Sequence, residues 1–497
     1  MRECLLFLLL SAALPAATIR GTVLENQTGH PLARALVNLQ PVPGTAGAAL
    51  SVRTSNYGTF QFNSLPAGSY LLTASRTGFA SVQYGQKQWQ SSGVPVVISD
   101  ADSPSLTIRL PRWGAISGTV LDENDVGLPE HEVVAYRNTR PPQLVTHAKT
   151  DDRGIFRLYG LKPGSYLLRT AGKKYDDEEY LPTFSKETQI VDQAYAVDVN
   201  LDQQVDHADV RPTAGRLYML KVEVTLADRN GDFSPVNVTL TSNLGRETRQ
   251  GAVHQFGPLP PGPYEVFAEA FSAKSTVVGA YEKVNLSQDK TVALFLRQIT
   301  PLQVSFEGLE DAGAIRLFGR RKDLAGEGAS ELLKVANGHV PLAPGPWELA
   351  VLPVPGYYVA AFSGPGLPQS APGNRADGWN EIAVGSFHSG IRYSLSASPG
   401  ALHGKVKTAG DPAPGAPVFL ENSDLEPRKR VMDMFVTRTD TRGEYRFSDL
   451  APGNYRVLSS FEYQMPDPAA MSNAGAKALR VEAGREAQQD LDLFVIQ

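Results

Sequence analysis

The sequence predicts an all-β protein, a tandem array of about five Greek-key β-sandwich domains of immunoglobulin-like type. Short segments in which apolar and polar residues alternate recur along the chain, separated by turns rich in Gly and Pro. One stretch, residues 150–168, has similar copies that begin at Thr54 and at Thr439. The copies lie about 95 residues apart, or a multiple of that distance, which is the length of a small β-sandwich.

The first half of the repeated stretch predicts a turn that leads into a strand. Gly58, Gly154 and Gly443 occupy the same position in the three copies, and a glycine there allows the positive φ angle of a hairpin turn. Apolar residues alternate immediately afterwards, as Phe156 and Leu158 do in the second copy. A period of two places both side chains on one face of a sheet.

The second half, Leu-x-Pro-Gly-x-Tyr, predicts a corner followed by another strand. The pattern resembles the tyrosine corner of Greek-key sandwiches, in which the tyrosine hydroxyl bonds back to nearby backbone. Two degenerate copies keep the spacing, and in one of them a tryptophan replaces the tyrosine. The glycine and the aromatic residue of the five copies are Gly68 and Tyr70, Gly164 and Tyr166, Gly262 and Tyr264, Gly345 and Trp347, and Gly453 and Tyr455.

The N-terminal segment, residues 1–17, has the pattern of a secretory signal. An apolar run from Leu5 to Leu10 precedes small residues that suit cleavage, although an N-terminal core strand is the alternative. The predicted sandwich domains then span residues 18–112, 113–212, 213–300, 301–398 and 399–497. No later segment approaches the ~20 apolar residues of a membrane span. We therefore expect an exported protein in the periplasm, at the cell surface or outside the cell, without a membrane span in the mature chain.

The order of motifs within one segment resembles a known family. Gly-x-Val, a loop rich in Gly and Pro, Thr-Asp-x-x-Gly-x-Phe-x-Leu and Leu-x-Pro-Gly-x-Tyr follow one another as they do in the carboxypeptidase regulatory-like domain. The first, second and fifth segments carry the resemblance, and the third and fourth follow by register. The resemblance implies a transthyretin-like (prealbumin-type) sandwich. It also implies an accessory, non-catalytic module found in tandem in exported bacterial proteins and often grouped with carbohydrate-binding-like sandwiches.

Composition and motifs argue against several functional classes. The net charge is −5, with 47 basic and 52 acidic residues mixed along the chain, which disfavours nucleic-acid binding. Cys4 is the only cysteine, so we expect neither a disulfide nor a thiolate metal site in the mature chain. None of the eight histidines has a glutamate three positions later, as a metallocarboxypeptidase zinc site requires, and a Gly-x-Ser-x-Gly elbow is absent. We expect no catalytic residue, no metal and no cofactor, although the run Asp228–Asp232 leaves a calcium loop open as an alternative to a polar turn.

Two long loops carry aromatic residues and are the candidate ligand-binding sites. One contains Tyr84 and Trp89, and the other contains Tyr175, Tyr180 and Phe184. Aromatic rings beside amide and charged groups suit a sugar face or an extended peptide, whereas the alternative is that they pack under their own loops or seal one segment to the next. The first hypothesis is a structural or adhesive role, with a polysaccharide or another surface protein as partner. Carbohydrate binding through these loops is the second hypothesis, and a hydrolase with an unrecognised site is the third.

Overall fold

The computed structural model describes residues 17–496, except 100–104, 140–141, 177, 227–232, 272–276, 300, 310–314, 325, 341, 343–344, 353, 365–374 and 385–389. The signal segment up to residue 16 and the run Asp228–Asp232 therefore lie outside the described residues. Strands dominate, which confirms the predicted all-β class. Within the described ranges the helical elements are α1 (Pro468–Asn473) and two short 3-10 turns, Val191–Gln193 and Pro427–Lys429. Asp467 caps α1, because its carboxylate accepts a 2.7 Å hydrogen bond from the backbone N–H of Ala470.

The strands form five groups, which we call units one to five. Unit one contains β1 (Ala17–Glu25), β2 (Leu36–Pro41), β3 (Leu50–Arg53), β4 (Thr59–Leu65), β5 (Gly68–Ser75), β6 (Val82–Gln83), β7 (Val96–Ile98) and β8 (Leu106–Leu110). One sheet has the order β4-β1-β8, and the other has the order β3-β2-β5-β6 with β7 also paired to β5. Alternate residues of β1 are buried between the two sheets. β1 is antiparallel to β4 and parallel to β8, so the unit closes on its first strand.

Unit two repeats this plan. Its strands are β9 (Gly114–Thr119), β10 (Glu132–Arg137), β11 (Gln143–Lys149), β12 (Ile155–Leu161), β13 (Gly164–Thr170), β14 (Lys173–Lys174), β15 (Glu179–Tyr180), β16 (Ala196–Val199) and β17 (Gln204–Val205). The two main sheets have the orders β12-β9-β17 and β11-β10-β13-β16. The hairpin of β14 and β15 is added within the long loop that follows β13.

Unit three differs in that its strands form one continuous sheet. They are β18 (Tyr218–Leu226), β19 (Asn237–Ser242), β20 (Gly245–Gln250), β21 (Val253–Leu259), β22 (Gly262–Phe271), β23 (Val277–Leu286) and β24 (Lys290–Ile299). The order is β20-β19-β22-β23-β24-β18-β21. β23 joins the two halves, because it pairs with β22 along its whole length and with β24 only over Val277–Gly279.

Units four and five return to two sheets each. Unit four contains β25 (Leu302–Glu307), β26 (Leu317–Asp323), β27 (Gly326–Glu327), β28 (Glu331–Leu333), β29 (His339–Val340), β30 (Gly345–Val351), β31 (Tyr358–Ser363), β32 (Asn380–Val384) and β33 (Gly390–Ser396). Unit five contains β34 (Gly400–Thr408), β35 (Asp411–Pro412), β36 (Pro417–Asn422), β37 (Phe435–Arg438), β38 (Glu444–Leu450), β39 (Gly453–Ser459), β40 (Lys477–Val481), β41 (Glu486–Gln488) and β42 (Leu491–Asp492). The sheets of unit four have the orders β29-β25-β33-β31 and β27-β26-β30-β32, with β28 also paired to β26. Those of unit five have the orders β37-β36-β39-β40 and β35-β34-β38, with β41 and β42 also paired to β34.

Each unit buries its own apolar core, and apolar burial is the main stabilising contribution to such small sandwiches. Central members of the five cores, from unit one to unit five, are Phe60, Phe156, Phe256, Leu349 and Phe447. The segment boundaries at residues 112, 212, 300 and 398 stay a prediction.

The units contact one another in a closed order. Consecutive units touch, and unit five also touches unit one. One contact for each junction, in chain order, is Asn26 with Asp202, Leu244 with the cluster around Phe184, Arg246 with Asp323, Lys429 with Glu348, and Lys87 with Glu462. The described chain is therefore a closed arrangement of sandwiches in which the last unit returns to the first.

Candidate functional site

The tyrosine of the repeated stretch closes a corner in four units. Each hydroxyl donates to the carbonyl oxygen four residues earlier: Tyr70 to Pro66 at 2.9 Å, Tyr166 to Lys162 at 2.6 Å, Tyr264 to Pro260 at 2.9 Å, and Tyr455 to Ala451 at 2.7 Å. All four rings are buried, and burial raises the pKa of Tyr264 and of Tyr455 to about 12. In unit four, Trp347 takes the place of the tyrosine and is also buried. These buried aromatic residues close the corner of each unit.

The glycine that precedes the first strand of the repeat is required by a close backbone approach. Gly154 has φ of +78°, and a Cβ atom there would lie 2.7 Å from the carbonyl oxygen of Val120. Gly58 and Gly443 have the same conformation, with φ of +71° and +76°. Any other residue would be strained at this turn, because its Cβ atom would collide with the first strand of the unit.

A buried threonine begins each of the three clear copies of the repeated stretch, and no role was predicted for it. In unit two, the hydroxyl of Thr150 donates to the carbonyl of Leu128 at 2.6 Å and accepts from the backbone N–H of His131 at 2.8 Å. Thr54 and Thr439 make the same pair of bonds in units one and five. The recurrence of threonine at this position in all three copies was the signal that could have revealed it.

The Trp89 loop lies between units. The ring of Trp89 meets the ring of Trp113, at the start of unit two, edge to face with centroids 5.3 Å apart. Trp89 is half-buried, and its buried Nε1 atom has no hydrogen-bond partner among the residues that the structure describes. Tyr84 is also half-buried and packs against the core of unit one. The loop therefore contacts the start of unit two through Trp89.

The same loop holds unit five through a set of contacts that we call the clasp, formed by residues 87–92 and 460–464. The backbone N–H of Ser92 donates to the carbonyl of Phe461 at 2.6 Å, and the Ser92 hydroxyl donates to the carbonyl of Tyr463 at 2.7 Å. The backbone N–H of Gln464 donates to the carbonyl of Gln90. Buried polar groups cost free energy unless they are paired, so these bonds make the junction specific.

The second aromatic loop folds onto unit two. Tyr180 and Phe184 are buried, at 1% and 0% exposure, whereas Tyr175 is half-buried. Tyr175 and Tyr180 lie 6.0 Å apart, edge to face, and both rings contact the ring of His131. Because a buried ring cannot offer its face to a ligand, Tyr180 and Phe184 are positioned as supports of the loop. The structure brings Tyr175 and Tyr180 together in unit two, whereas Phe184 packs in a separate cluster against Tyr136. It places Tyr84 and Trp89 in unit one.

His131 is the buried polar group at the centre of this aromatic cluster. Burial lowers the pKa of His131 to about 4, so the ring is neutral near pH 7. The neutral ring can donate from Nε2 to the carbonyl oxygen of Ala171, at 3.0 Å. Its Nδ1 atom lies 3.0 Å from the hydroxyl of Tyr175, whose one proton is shared between Nδ1 and the carbonyl oxygen of Pro129, 2.9 Å away. Both ring nitrogens therefore have partners inside the protein.

Charged side chains form the junction of units four and five. The carboxylate of Glu348 is fully buried and lies 2.6 Å from Nζ of Lys429 and 2.7 Å from Arg320. Glu381 accepts hydrogen bonds from Lys429 and Lys322, and these bonds lower the pKa of Glu381 to about 2. The network joins β26, β30 and β32 of unit four to the 3-10 turn of unit five.

A second titratable group lies at the junction of units three and four. Burial, and repulsion from Glu331 of unit four, raise the pKa of Glu269 in β22 to about 7. The Arg321 guanidinium of unit four lies nearby, 4.1 Å from the ring centroid of Phe267, and opposes this shift. The junction therefore changes its charge close to neutral pH.

The described ranges also bear on metal binding and on membrane crossing. There, no group of three or more His, Cys, Asp or Glu side chains is arranged to hold a metal ion. In the same part of the chain, no helix combines the length and the apolar character that crossing a membrane requires.

The fold and the corner motif define a class, that of transthyretin-like β-sandwich domains arranged in tandem. Within that class, residues 18–111 and 115–210 match the family model described as the carboxypeptidase regulatory-like domain, so units one and two belong to this family. None of the curated proteins is a significant sequence match to this chain.

Solved structures with detectable likeness are of low similarity. The Bacillus anthracis TIE protein is 14% identical over 57% of this chain and 51% of its own, with a TM-score of 0.19, so the match spans about half of that protein. GBS52, the minor pilin of Streptococcus agalactiae, is 16% identical over 40% of this chain and 97% of its own, with a TM-score of 0.25. BcpA, the major pilin subunit of Bacillus cereus, is 10% identical over 77% of this chain and 99% of its own, with a TM-score of 0.15. At these values the likeness carries no argument about function.

Proposed function

We propose that this chain is an exported, non-catalytic array of five β-sandwich domains with a structural or adhesive role at the cell surface. The observation that carries the proposal is the use of loops and charged side chains to join the domains. The Trp89 loop contacts units two and five, and the Glu348 network joins units four and five. Side chains engaged in this way stiffen the array, as a structural protein requires.

Export and adhesion are tested by two measurements. We expect the mature protein outside the cytoplasm, with an N-terminus close to Ala17, and cell fractionation with N-terminal sequencing will show it. An intact residue 1 in a cytoplasmic fraction would contradict export.

For adhesion, immobilised full-length protein is probed with whole cells and with surface polysaccharides, and a heat-unfolded sample is the control. Equal retention by native and unfolded protein would contradict an adhesive role of the folded array.

Carbohydrate binding is the second candidate, and one exposed face of unit two favours it. The ring of Tyr159 in β12 is 71% exposed, with the Arg157 guanidinium 5.8 Å from its centroid. Beside it, Arg157 donates to Gln204 at 3.2 Å, and Gln204 donates to Asp206 at 2.8 Å. An aromatic ring next to amide and carboxylate groups suits stacking and hydrogen bonding to a sugar. We also propose ligand contact at three loop residues, but only through the exposed parts of their rings: Tyr84, Trp89 and Tyr175.

A glycan array separates this candidate from the first. If the Tyr159 face binds sugar, Tyr159→Ala abolishes binding, whereas Tyr57→Ala, which removes a ring of 79% exposure from unit one, leaves binding unchanged. Equal loss in both variants, or no bound glycan, contradicts a site at Tyr159.

A hydrolase remains the third candidate, and turnover of glycoside, ester or peptide substrates by the purified chain would favour it over both.

A further inference from the structure

An open cleft lies where unit five meets unit one. Pro43 of unit one forms one side of it, and polar side chains of β34, β37, β38 and β41 form most of the rest. Its volume is about 630 Å³, which lies within the range of about 300–1,000 Å³ that is usual for sites of small ligands. The cleft therefore has room for a small polar molecule.

Arg438 of β37 lines this cleft without a carboxylate to neutralise it. Its half-buried side chain donates from Nη1 to the carbonyl of Gly415 at 2.7 Å, which is its one side-chain hydrogen bond among the residues that the structure describes. Burial lowers the pKa of the Arg438 guanidinium, and no attraction from a described carboxylate opposes that shift. A guanidinium that has lost hydration without gaining a counter-charge is stabilised by a bound anion.

The equivalent basic residues of units one and two have other surroundings. Arg53 makes the same bond to the backbone, at 3.2 Å, but its side chain is exposed. Lys149 lies 3.2 Å from the carboxylate of Glu130. In unit five Gly415 stands in the place of that glutamate, and unit one covers it, since a Cβ atom there would lie 2.6 Å from Pro95. Of these three basic residues, the arginine of unit five is thus the one that is both covered and left without a carboxylate.

Most carboxylates on the wall of the cleft already have a cation. Of the four that the structure describes there, three pair within unit five: Asp440 and Glu444 with Arg442, and Glu486 with Arg446. These pairs leave the Arg438 guanidinium as the group on the wall that an incoming acid can neutralise.

Two other side chains of the wall suit hydroxyl groups. The fourth carboxylate, that of Asp490, accepts from the backbone N–H of Lys405 at 2.9 Å through one oxygen. Gln488 lines the same cleft, and both Asp490 and Gln488 are exposed. A carboxylate accepts hydrogen bonds from hydroxyl groups, and an amide both donates and accepts. The wall thus offers one cation for an acid and separate groups for hydroxyls.

We propose that this cleft binds acidic sugars, with the ligand carboxylate on Arg438 and its hydroxyl groups on Asp490 and Gln488. Nε and Nη2 of Arg438 provide the two parallel hydrogen bonds with which a guanidinium binds a carboxylate. The inference goes beyond the structural or adhesive role. It is also independent of sugar binding at the Tyr159 face, because the two sites lie in different units.

Isothermal titration calorimetry on the full-length protein tests the proposal with glucuronate and galacturonate as probes. We expect saturable binding of a uronate, and at least about tenfold weaker binding of its amide, which lacks the charge. Acetate, which has the charge without the hydroxyl groups, should also bind at least about tenfold more weakly. The proposal is overturned if neither uronate binds saturably, or if the amide or acetate binds equally well. Tighter binding of the acidic dipeptide glycylglutamate would assign the cleft to peptides and would also overturn it.

Two arginine variants locate the site. Arg438→Gln removes the charge and should weaken uronate binding by at least about tenfold. Arg53→Gln makes the same change at the equivalent exposed arginine of unit one and should leave binding unchanged. If Arg438→Gln lowers the melting temperature, Gln488→Trp fills the cleft from an exposed position and should block binding instead. Uronate binding that survives in every folded variant, or that is lost equally in Arg53→Gln, contradicts this location.

Discussion

Nζ of Lys87 lies 2.8 Å from Oε1 of Glu462, although 375 residues separate them along the chain. The Lys87 side chain is 61% exposed, whereas that of Glu462 is 6% exposed. An ion pair with one exposed partner contributes little to stability, so the neighbouring backbone and serine bonds carry most of the clasp. The pair nevertheless marks the place where the last unit meets the first.

The closed arrangement should depend on Ser92. In the variant Ser92→Asp, a carboxylate would replace a buried hydroxyl donor and face the carbonyl of Tyr463, close to Glu462. A buried charge without a partner costs several kcal/mol, so we expect the clasp to open and the radius of gyration to increase in small-angle scattering. Ser105→Asp, at an exposed serine of the same unit, is the matched control and should leave the radius unchanged. An unchanged radius in Ser92→Asp would show that other contacts keep the units together.

The corner hydrogen bond should stabilise unit two measurably. Tyr166→Phe removes the bond to the carbonyl of Lys162 and leaves the buried ring in place, so we expect a local loss of about 1 kcal/mol. Hydrogen exchange of the β12 and β13 segments in the full-length protein measures this loss. Tyr159→Phe, which changes an exposed tyrosine of the same unit, should have no effect, and equal protection in the two variants would contradict the corner role.

The buried Thr150 should contribute more to the stability of unit two than its more exposed neighbours do. Thr150→Val keeps the shape of the side chain but leaves the carbonyl of Leu128 and the N–H of His131 without their partner. An unsatisfied buried polar group costs about 1–3 kcal/mol, so protection in unit two should fall by that amount. The same substitution at Thr146, which is half-buried in β11, is the control. If Thr150→Val exchanges no faster than Thr146→Val, the two hydrogen bonds do not contribute as described.

These residues also show what the sequence could and could not predict. Alternation and turn residues report local strand geometry, so the β class and the corner at Tyr166 could be predicted. The role of Thr150 was missed because a polar residue beside an aspartate is expected to be exposed. The clasp was beyond prediction, because contact between Ser92 and Tyr463 depends on how whole units pack. For the same reason, the sequence could not decide whether Trp89 binds a ligand or packs between two units.

The junction of units three and four should weaken as the pH rises. The folded-state pKa of Glu269, about 7, lies above its ordinary value of 4.5, so between these values the folded chain holds a proton that the unfolded chain has lost. Stability from this group is therefore fully present below about pH 4.5, falls as the pH rises to about 7, and is level above that. Glu269→Gln should remove this slope from melting curves recorded between pH 4.5 and pH 8, whereas the exposed-site control Glu247→Gln should retain it. A wild-type profile parallel to that of Glu269→Gln would contradict the shift.

The last prediction concerns the contact between Trp89 and Trp113. An edge-to-face pair contributes about 0.5–1.5 kcal/mol beyond the area that it buries, so each single alanine variant should destabilise the junction of units one and two. The double variant should cost less than the sum of the two single variants, because the shared contact can be lost only once. The loss of stability in the two single variants and in the double variant is measured by denaturant unfolding of the full-length protein. Hydrogen exchange at residues 84–92 and 113–119 then locates the loss at the junction. Additive losses would show that the rings act separately, and loss of glycan binding in Trp89→Ala without any loss of stability would instead support a ligand platform. We expect coupling, because the ring of Trp89 is half-buried against the neighbouring unit and the clasp holds the same loop from the other side.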